Sequence, residues 1–391
     1  MKNWRFRGNE QKYIKEVLKE GFKAGADGAF TTRFERALAD SYSMKFAISM
    51  NSGTSTLHTA LLALEVSEGD EVLVPSLTPL MCGLAIHYTR ATPVYVDVDP
   101  STFLMSPSDL AKKITGKSKV ILVTHMYGNV CDMKNIMRIA RESNLRVIED
   151  CAQCHYGKSE DGKYAGTIGD FGSWSFENSK HLTCGDGGVL VTDSHDLATR
   201  VRKIGGLGFK TLTAEAGRVR TNRNLLQNPN WERFDTIGFN YRLGQLSAAV
   251  ALAQVERKDH FINLRIKSGH AYREVLKHSQ LLIPQSSYPN VVNTYYTFSA
   301  LFNGEEKGIP WEEFREKHIS FGGDGIYAAS KLLYQEPIFK SMEIGRGVTP
   351  VAEMLQRRLM NFTTNQANHK QIKVQVNALR KCLSFFGEKS A

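Results

Sequence analysis

Apolar positions along the chain follow two alternating rhythms. KFAISM, DEVLVP, TPVYVDVD, KVILVTHM and LRVIED are short runs rich in β-branched residues. Between them lie STLHTALLALEV, LMCGLAIHYTR, SDLAKKIT and CDMKNIMRIARESN, whose apolar residues recur at helical spacing. Buried strands alternating with helices predict βαβ units and a largely parallel sheet. Two helices are expected ahead of this series, Gln11 to Lys23 and Arg33 to Tyr42, with the glycine-rich turn GADGAF between them.

The rhythm then changes. FGSWSF and GGVLVTD read as strands, but SFENSKHLTCGDGG, which joins them, carries no clear helix. These two strands are therefore not expected to be simple parallel neighbours. A helix at Leu197 to Ile204 is followed by about thirty residues without periodicity, from GGLGF to DTIG, a length that marks a functional or disordered loop. From Leu243 a long helical pattern links the sheet to a smaller C-terminal part, in which NTYYTFSALFN reads as strand and WEEFREKH, AEMLQRRL and KVQVNALRKCL as helices. The expected division is a large domain over residues 1–245 and a small one over 246–391.

The formal net charge of +10 favours an anionic partner. No block of consecutive basic residues and no zinc-finger spacing occurs, so a nucleotide-bearing metabolite is expected ahead of nucleic acid. No apolar run is long enough for a membrane span, and the polar N-terminus is unlike a signal peptide. Six cysteines in 391 residues suit a reducing, cytoplasmic setting. Cys151 and Cys154 have the spacing of a redox pair or half a zinc site, or are small residues packed after a strand.

Ligands of open parallel sheets sit at the carboxyl ends of the strands. After KFAISM, Gly53 and Thr54 stand where strand becomes helix, as a phosphate site or as a helix start capped by Ser52 or Thr54. Asp150 ends the apolar run LRVIED, where a carboxylate needs a cation or local backbone amides. Lys180 follows FGSWSF, with Ser175 at that strand's end; a lysine there can form a Schiff base or simply be solvated.

These pieces occur together in a known order. NSGTSTLHTALLAL, DEVLVPSLTP, ATPVYVDVDP, THMYGNVCDM, VIEDCAQCHYG, SFENSKHLTCGDGGVLVT and GFNYRLGQLSAAVALAQ resemble the sugar aminotransferases of the DegT/DnrJ/EryC1/StrS group. The resemblance covers roughly residues 30 to 260. It implies the fold type I architecture of pyridoxal-phosphate enzymes, an α/β fold. Its large domain would hold a mostly parallel seven-stranded sheet with helices on both faces, beside a smaller α+β C-terminal domain.

Carried over by position, the resemblance implies that Lys180 attaches pyridoxal 5′-phosphate covalently, with pyridoxamine phosphate as the intermediate form. Asp150 would pair with the pyridine nitrogen and Gln153 would bond the phenolic oxygen. Gly53, Thr54 and Ser175 would hold the phosphate, and Asn240 would reach it from a neighbouring subunit, making a homodimer with shared active sites. The implied reaction moves an amino group from glutamate or glutamine to a nucleotide-diphosphate keto sugar, for surface polysaccharide or antibiotic sugars. A sugar dehydratase, a cyclitol aminotransferase and a non-catalytic regulatory relative are the alternatives. Pro79 departs from the pattern, standing where the family places an aromatic ring. His181 is expected to be a bystander. Arg218, Arg220 and Arg223 in the basic loop either meet the diphosphate or form a solvated charge run; Arg242 is a further substrate candidate. Tyr327 and Tyr334 either line the substrate mouth or pack in the small domain's core.

Overall fold

A computed structural model describes residues 4–22, 29–215, 217 and 222–388. The predicted end of the first helix at Lys23, most of the turn after it, and Arg218 and Arg220 lie outside the described residues.

The alternating rhythm becomes a seven-stranded sheet. Helices α1 (Glu10–Glu20) and α2 (Phe30–Tyr42) precede it. Its strands are β1 (Phe46–Met50), β2 (Glu71–Pro75), β3 (Thr92–Val96), β4 (Ser118–Thr124), β5 (Arg146–Asp150), β6 (Phe171–Ser175) and β7 (Gly188–Thr192). The intervening helices are α3 (Gly53–Ala63), α4 (Leu80–Tyr88), α5 (Pro107–Lys113) and α6 (Met133–Glu142), with α7 (His195–Gly205) after β7. The strand order is β1-β7-β6-β5-β4-β2-β3. Neighbours are parallel except at β7, which runs antiparallel to both β1 and β6. That exception follows from the helix-free connection, because a parallel neighbour would need a crossover. The strands are buried on both faces, as continuous apolar runs predict.

The long helical pattern from Leu243 is two helices, α9 (Gln245–Val255) and α10 (Lys258–Val275), separated at Glu256–Arg257. The break has a physical reason. Asn9 Nδ2 and Tyr13 Oη both donate to the Glu256 carboxylate, and Arg257 Nη1 donates to the Arg5 carbonyl. The two polar residues anchor the N-terminal segment, while α9 packs on α1 and α2. Among its described residues the aperiodic stretch contains one short helix, α8 (Arg223–Gln227).

Beyond α10 a second sheet forms from β8 (Leu282–Pro284), β9 (Thr297–Phe302), β10 (Tyr327–Ala328) and β11 (Leu359–Thr363), in the order β10-β11-β9-β8. All its pairings are antiparallel. Its apolar residues cluster with α10 and the C-terminal helix His369–Phe385, around Tyr272, Phe298, Phe302 and Phe362. The predicted helix AEMLQRRL ends early: Pro350–Gln356 is helical, and Leu359 already belongs to β11. Leu359, Met360 and Phe362 are buried in the sheet, so tertiary packing overrides the helical tendency.

Candidate active site

The parallel topology brings several loops to one edge. Asn51–Gly53 follows β1, Pro79 follows β2, His125–Gly128 follows β4, Asp150 ends β5, and Ser175–Lys180 follows β6. Because β7 runs the other way, its first residue, Gly188, reaches the same edge.

The start of α3 and the end of β6 are in close contact. A Cβ on Gly53 would lie 2.9 Å from Cβ of Ser175, and one on Gly188 would lie 2.3 Å from the Ser52 carbonyl oxygen. Glycine at both positions lets three backbones converge. Ser52 is the helix cap, its Oγ accepting the Ser55 N–H at 3.1 Å. Gly53, Thr54 and Ser175 are thus gathered at the N-terminus of a buried helix.

Asp150 is 4 % exposed. Its Oδ1 accepts the Ala152 N–H at 2.9 Å, and its Oδ2 accepts the Cys82 thiol at 3.1 Å. Burial raises its pKa; the Ala152 amide, Cys82, Lys180 and His125 act in the opposite sense. The local-amide expectation therefore holds for one oxygen only. Cys82 escaped the sequence reading. It sits on α4, is bonded by Thr78 Oγ1 at 3.3 Å, and keeps its proton because burial pushes its pKa far up.

Gln153 has a determined orientation. Its Oε1 accepts the Tyr127 backbone N–H at 3.0 Å, which leaves its amide nitrogen to donate. Tyr127 supplies that N–H from a left-handed conformation, φ 64°. Gly128 beside it has φ 99°, and a Cβ there would lie 2.4 Å from the Tyr295 nitrogen. The Tyr-Gly pair in THMYG was the available signal for this turn.

Lys180 stands half-buried with Nζ 4.7 Å from the centre of the Tyr296 ring. Its loop is held from outside the motif. Arg5 Nη2 donates to the Lys180 carbonyl, Arg265 Nη2 donates to the Ser179 carbonyl at 3.2 Å, and Ser179 Oγ meets Tyr296 Oη at 2.7 Å. Beneath it, His155 and His181 are buried with ring centres 5.5 Å apart. His155 Nε2 donates to the Ser175 carbonyl at 3.0 Å and His181 Nε2 to that of Thr294 at 3.1 Å. Burial holds both rings neutral, His155 with a pKa lowered to about 3.

A cleft of about 390 Å³ opens between the two sheets. Pro79, Tyr127 and Gln153 line it from one side, Arg265, Tyr296 and Tyr327 from the other. Tyr327 thus sits at the mouth. Tyr334 meets neither expectation: it does not line the cleft, and it packs not in the small domain's core but against Tyr95 of β3, with its hydroxyl on Thr349 and Glu353. Asn240 and Arg242 do not line this cleft; they are exposed on a segment that pairs beside the end of β1, where the Asn51 N–H donates to the Tyr241 carbonyl at 2.7 Å, and Arg242 Nε donates to Asn240 Oδ1 at 3.0 Å. Arg223 is exposed at the start of α8. Cys151 and Cys154 are buried free thiols in the core, Cys154 with its pKa pushed up to about 12 by burial. Among the described residues no cluster of three or more His, Cys, Asp or Glu side chains is arranged to hold a metal.

Known proteins resemble this chain along nearly its whole length. The profile of the DegT/DnrJ/EryC1/StrS aminotransferase family matches residues 5–378. A GDP-perosamine synthase of Escherichia coli O157:H7 is 36 % identical over 332 residues, spanning 85 % of this chain and 82 % of that protein. A GDP-perosamine synthase of Caulobacter vibrioides is 40 % identical over 272 residues, 70 % of this chain and 68 % of that one. An aminotransferase structure from Psychrobacter cryohalolentis superposes with a TM-score of 0.87, at 25 % identity and 98 % coverage of both chains. The chain belongs to the DegT/DnrJ/EryC1/StrS aminotransferase family.

Proposed function

We propose that the protein is a pyridoxal-phosphate-dependent aminotransferase. It moves the amino group of glutamate or glutamine to the keto carbon of a nucleotide-diphosphate sugar. The observation that carries this reading is the convergence of Lys180, Asp150, Gln153 and the Gly53–Ser175 contact at one sheet edge beside a cleft. The two curated relatives are named for GDP-perosamine, which supports a guanosine-diphosphate sugar as the first acceptor to test.

The residues fit the cofactor. The cradle at Gly53 would be filled by any side chain, so backbone N–H groups there can approach a phosphate. The Ser175 hydroxyl adds a donor. Asp150 is a buried carboxylate whose charged form is disfavoured by burial, and a protonated ring nitrogen is the counter-charge that restores it. Gln153 presents a donor, as a phenolic oxygen requires. When bound, the cofactor supplies a carbonyl that condenses with amines and a ring that accepts electrons from the adjoining carbon.

The chain's own residues do the rest. Lys180 holds the cofactor, and its freed amine carries a proton to and from the donor's Cα. It must be neutral when it takes that proton. The Tyr296 ring and the Arg5 and Arg265 contacts fix where the amine stands. Pro79 and Tyr327 line the space that an acceptor enters. Asn240 of the partner subunit completes the phosphate site in a homodimer. Its segment is exposed, and nearby Ile237 is 91 % exposed, an apolar surface that suits burial by a second copy. We place the domain boundary near residue 245, with α9 as the connecting element, and the protein in the cytoplasm, in keeping with six free thiols.

The test is spectroscopic. Protein reconstituted with pyridoxal phosphate should absorb in the visible, and glutamate or glutamine should bleach it. Lys180→Ala should abolish both the band and borohydride trapping. An unchanged band in that variant would remove Lys180 from its role.

A further inference from the structure

The cleft contains a cation without an anion. Arg265 projects from α10, is 5 % exposed, and lines the cleft. The charged or ionisable groups that act on it most are Arg5 and Tyr296, with no carboxylate among them. Nη1 donates to the Tyr296 carbonyl at 2.7 Å and to Thr364 Oγ1 at 3.1 Å, and Nη2 to the Ser179 carbonyl at 3.2 Å. A guanidinium has five N–H groups. Three are engaged, and Nε–H and the second Nη2–H remain. Adjacent donors of this kind grip a carboxylate with two parallel bonds. Burying a cation with neutral partners alone is costly, and burial draws the Arg265 pKa down to about 9. A bound anion removes that cost.

Position selects the anion. The phosphate cradle at Gly53 and Ser175 is on β1, α3 and β6, whereas Arg265 meets the cleft from the side of β9 and β11. Arg265 and Lys180 share one ring: the guanidinium carbon is 5.7 Å and Lys180 Nζ 4.7 Å from the Tyr296 centre. In an amino acid the α-carboxylate is one bond from the carbon whose proton Lys180 moves. In the acceptor, the diphosphate is several bonds from the keto carbon. We infer that Arg265 binds the α-carboxylate of the amino donor and so selects α-amino acids over simple amines. This rests on the proposed aminotransferase reaction.

The experiment measures each half-reaction separately on cofactor-loaded wild type, Arg265→Gln and Arg265→Lys. Two donors are compared: glutamate, and 4-aminobutyrate, which is glutamate without its α-carboxylate. In Arg265→Gln, kcat/KM for glutamate should fall about 100-fold. Because Arg265 also holds the Ser179 carbonyl of the Lys180 loop, the 4-aminobutyrate rate should fall too, but at least about tenfold less than the glutamate rate, with the KM for the sugar acceptor within about twofold. Calorimetric titration with α-methylglutamate, which has no α-proton to lose, should show binding weakened by the same factor as the glutamate reaction. Arg265→Lys, which keeps the charge but loses the fork, should recover part of the loss. Equal losses with both amines would make Arg265 a scaffold residue and overturn the inference. A raised acceptor KM with unchanged glutamate kinetics would assign it to the diphosphate and overturn it equally. Wild type that fails to show the visible band would instead refute the aminotransferase reading itself.

Discussion

Two regions carry the candidate chemistry, and they are built differently. Around the cleft, the candidate groups are braced by others: Asp150 by Cys82 and Ala152, Gln153 by Tyr127, and the Lys180 loop by Arg5 and Arg265. The segment from Gly206 to Arg242 is the reverse. Its described residues are joined by isolated pairings such as Gly206 with Asn240 and Phe209 with Phe234, and Phe234 and Ile237 are exposed. Preorganised groups suit the reacting atoms, where reorganisation would slow the chemistry. A loosely supported segment with exposed apolar residues suits docking on another chain. The contrast supports our proposal that a second copy of the chain completes the site.

The sharpest way to break that contrast is to separate its two halves genetically. Asn240→Ala and Lys180→Ala should each lose nearly all amino transfer when assayed alone with limiting cofactor. Refolded together at equal amounts, half of the dimers are mixed, and each mixed dimer has one site with both residues intact. Activity should return to about a quarter of wild type. If Asn240 serves its own chain, no site in the mixture is intact and activity stays near zero. An affinity tag on one variant alone, used to pull down the untagged variant from the same samples, checks that mixed dimers form.

How legible was this site in the sequence? The strand-end motifs were readable because each lies within a few residues of a βαβ turn, where chain order dictates spatial order. Lys180, Asp150, Gln153, Ser175 and Gly53 all belong to that class. Tyr327 was readable only as one of two options, and the cleft decided for it over Tyr334. Arg5, Arg265 and Tyr296 were missed. They come from opposite ends of the chain and meet the Lys180 loop only through tertiary packing, with no motif spacing to betray them. Cys82 was passed over for a different reason. A thiol in an apolar helix reads as packing, and only its approach to Asp150 reveals a hydrogen-bond donor. The break in the long helical pattern after Leu243 was not legible because helical periodicity continues through Glu256–Arg257, whereas both side chains there bond the distant N-terminal segment.

A smaller effect tests how completely the cleft is organised. Pro79 lines it next to Tyr127 and Gln153, with φ −58° and ψ 142°, a conformation open to any residue. Pro79→Phe restores the ring that the family pattern places there. A stacked aromatic pair contributes about 0.5–1.5 kcal/mol, so the dissociation constant for pyridoxal phosphate should fall by roughly twofold to tenfold. Fluorescence or absorbance titration of the apo-protein measures it. No change in affinity would mean that the proline already covers the ring face, and the cleft would count as complete in this respect.

The last test concerns acid, and it distinguishes the two regions by location. His155 and His181 lie under the Lys180 loop with pKa values lowered by burial. For His155 the Ser175 carbonyl acts the other way, while Lys180, Arg265 and Arg5 add to the lowering, to about 3. For His181, Arg265, His155 and Lys180 add to it and the Thr294 carbonyl opposes it. The unfolded chain binds these protons near pH 6.5, and the folded chain does so only at much lower pH. Between those values the unfolded state holds more protons, so stability is full above about pH 6.5 and is lost as pH falls towards 3. Each group steepens the loss by at most about 1.4 kcal/mol per pH unit. Urea midpoints from pH 7.5 to 4.5 should decline, and His155→Gln, neutral throughout, should flatten the decline by one group's share. Hydrogen exchange over the same range should quicken first in β6 and the Lys180 loop, which pack on these rings, and later in the Gly206–Arg242 segment. If the surface segment responds first, the acid-sensitive element lies outside the cleft, and the neutral histidine pair is not what limits stability there.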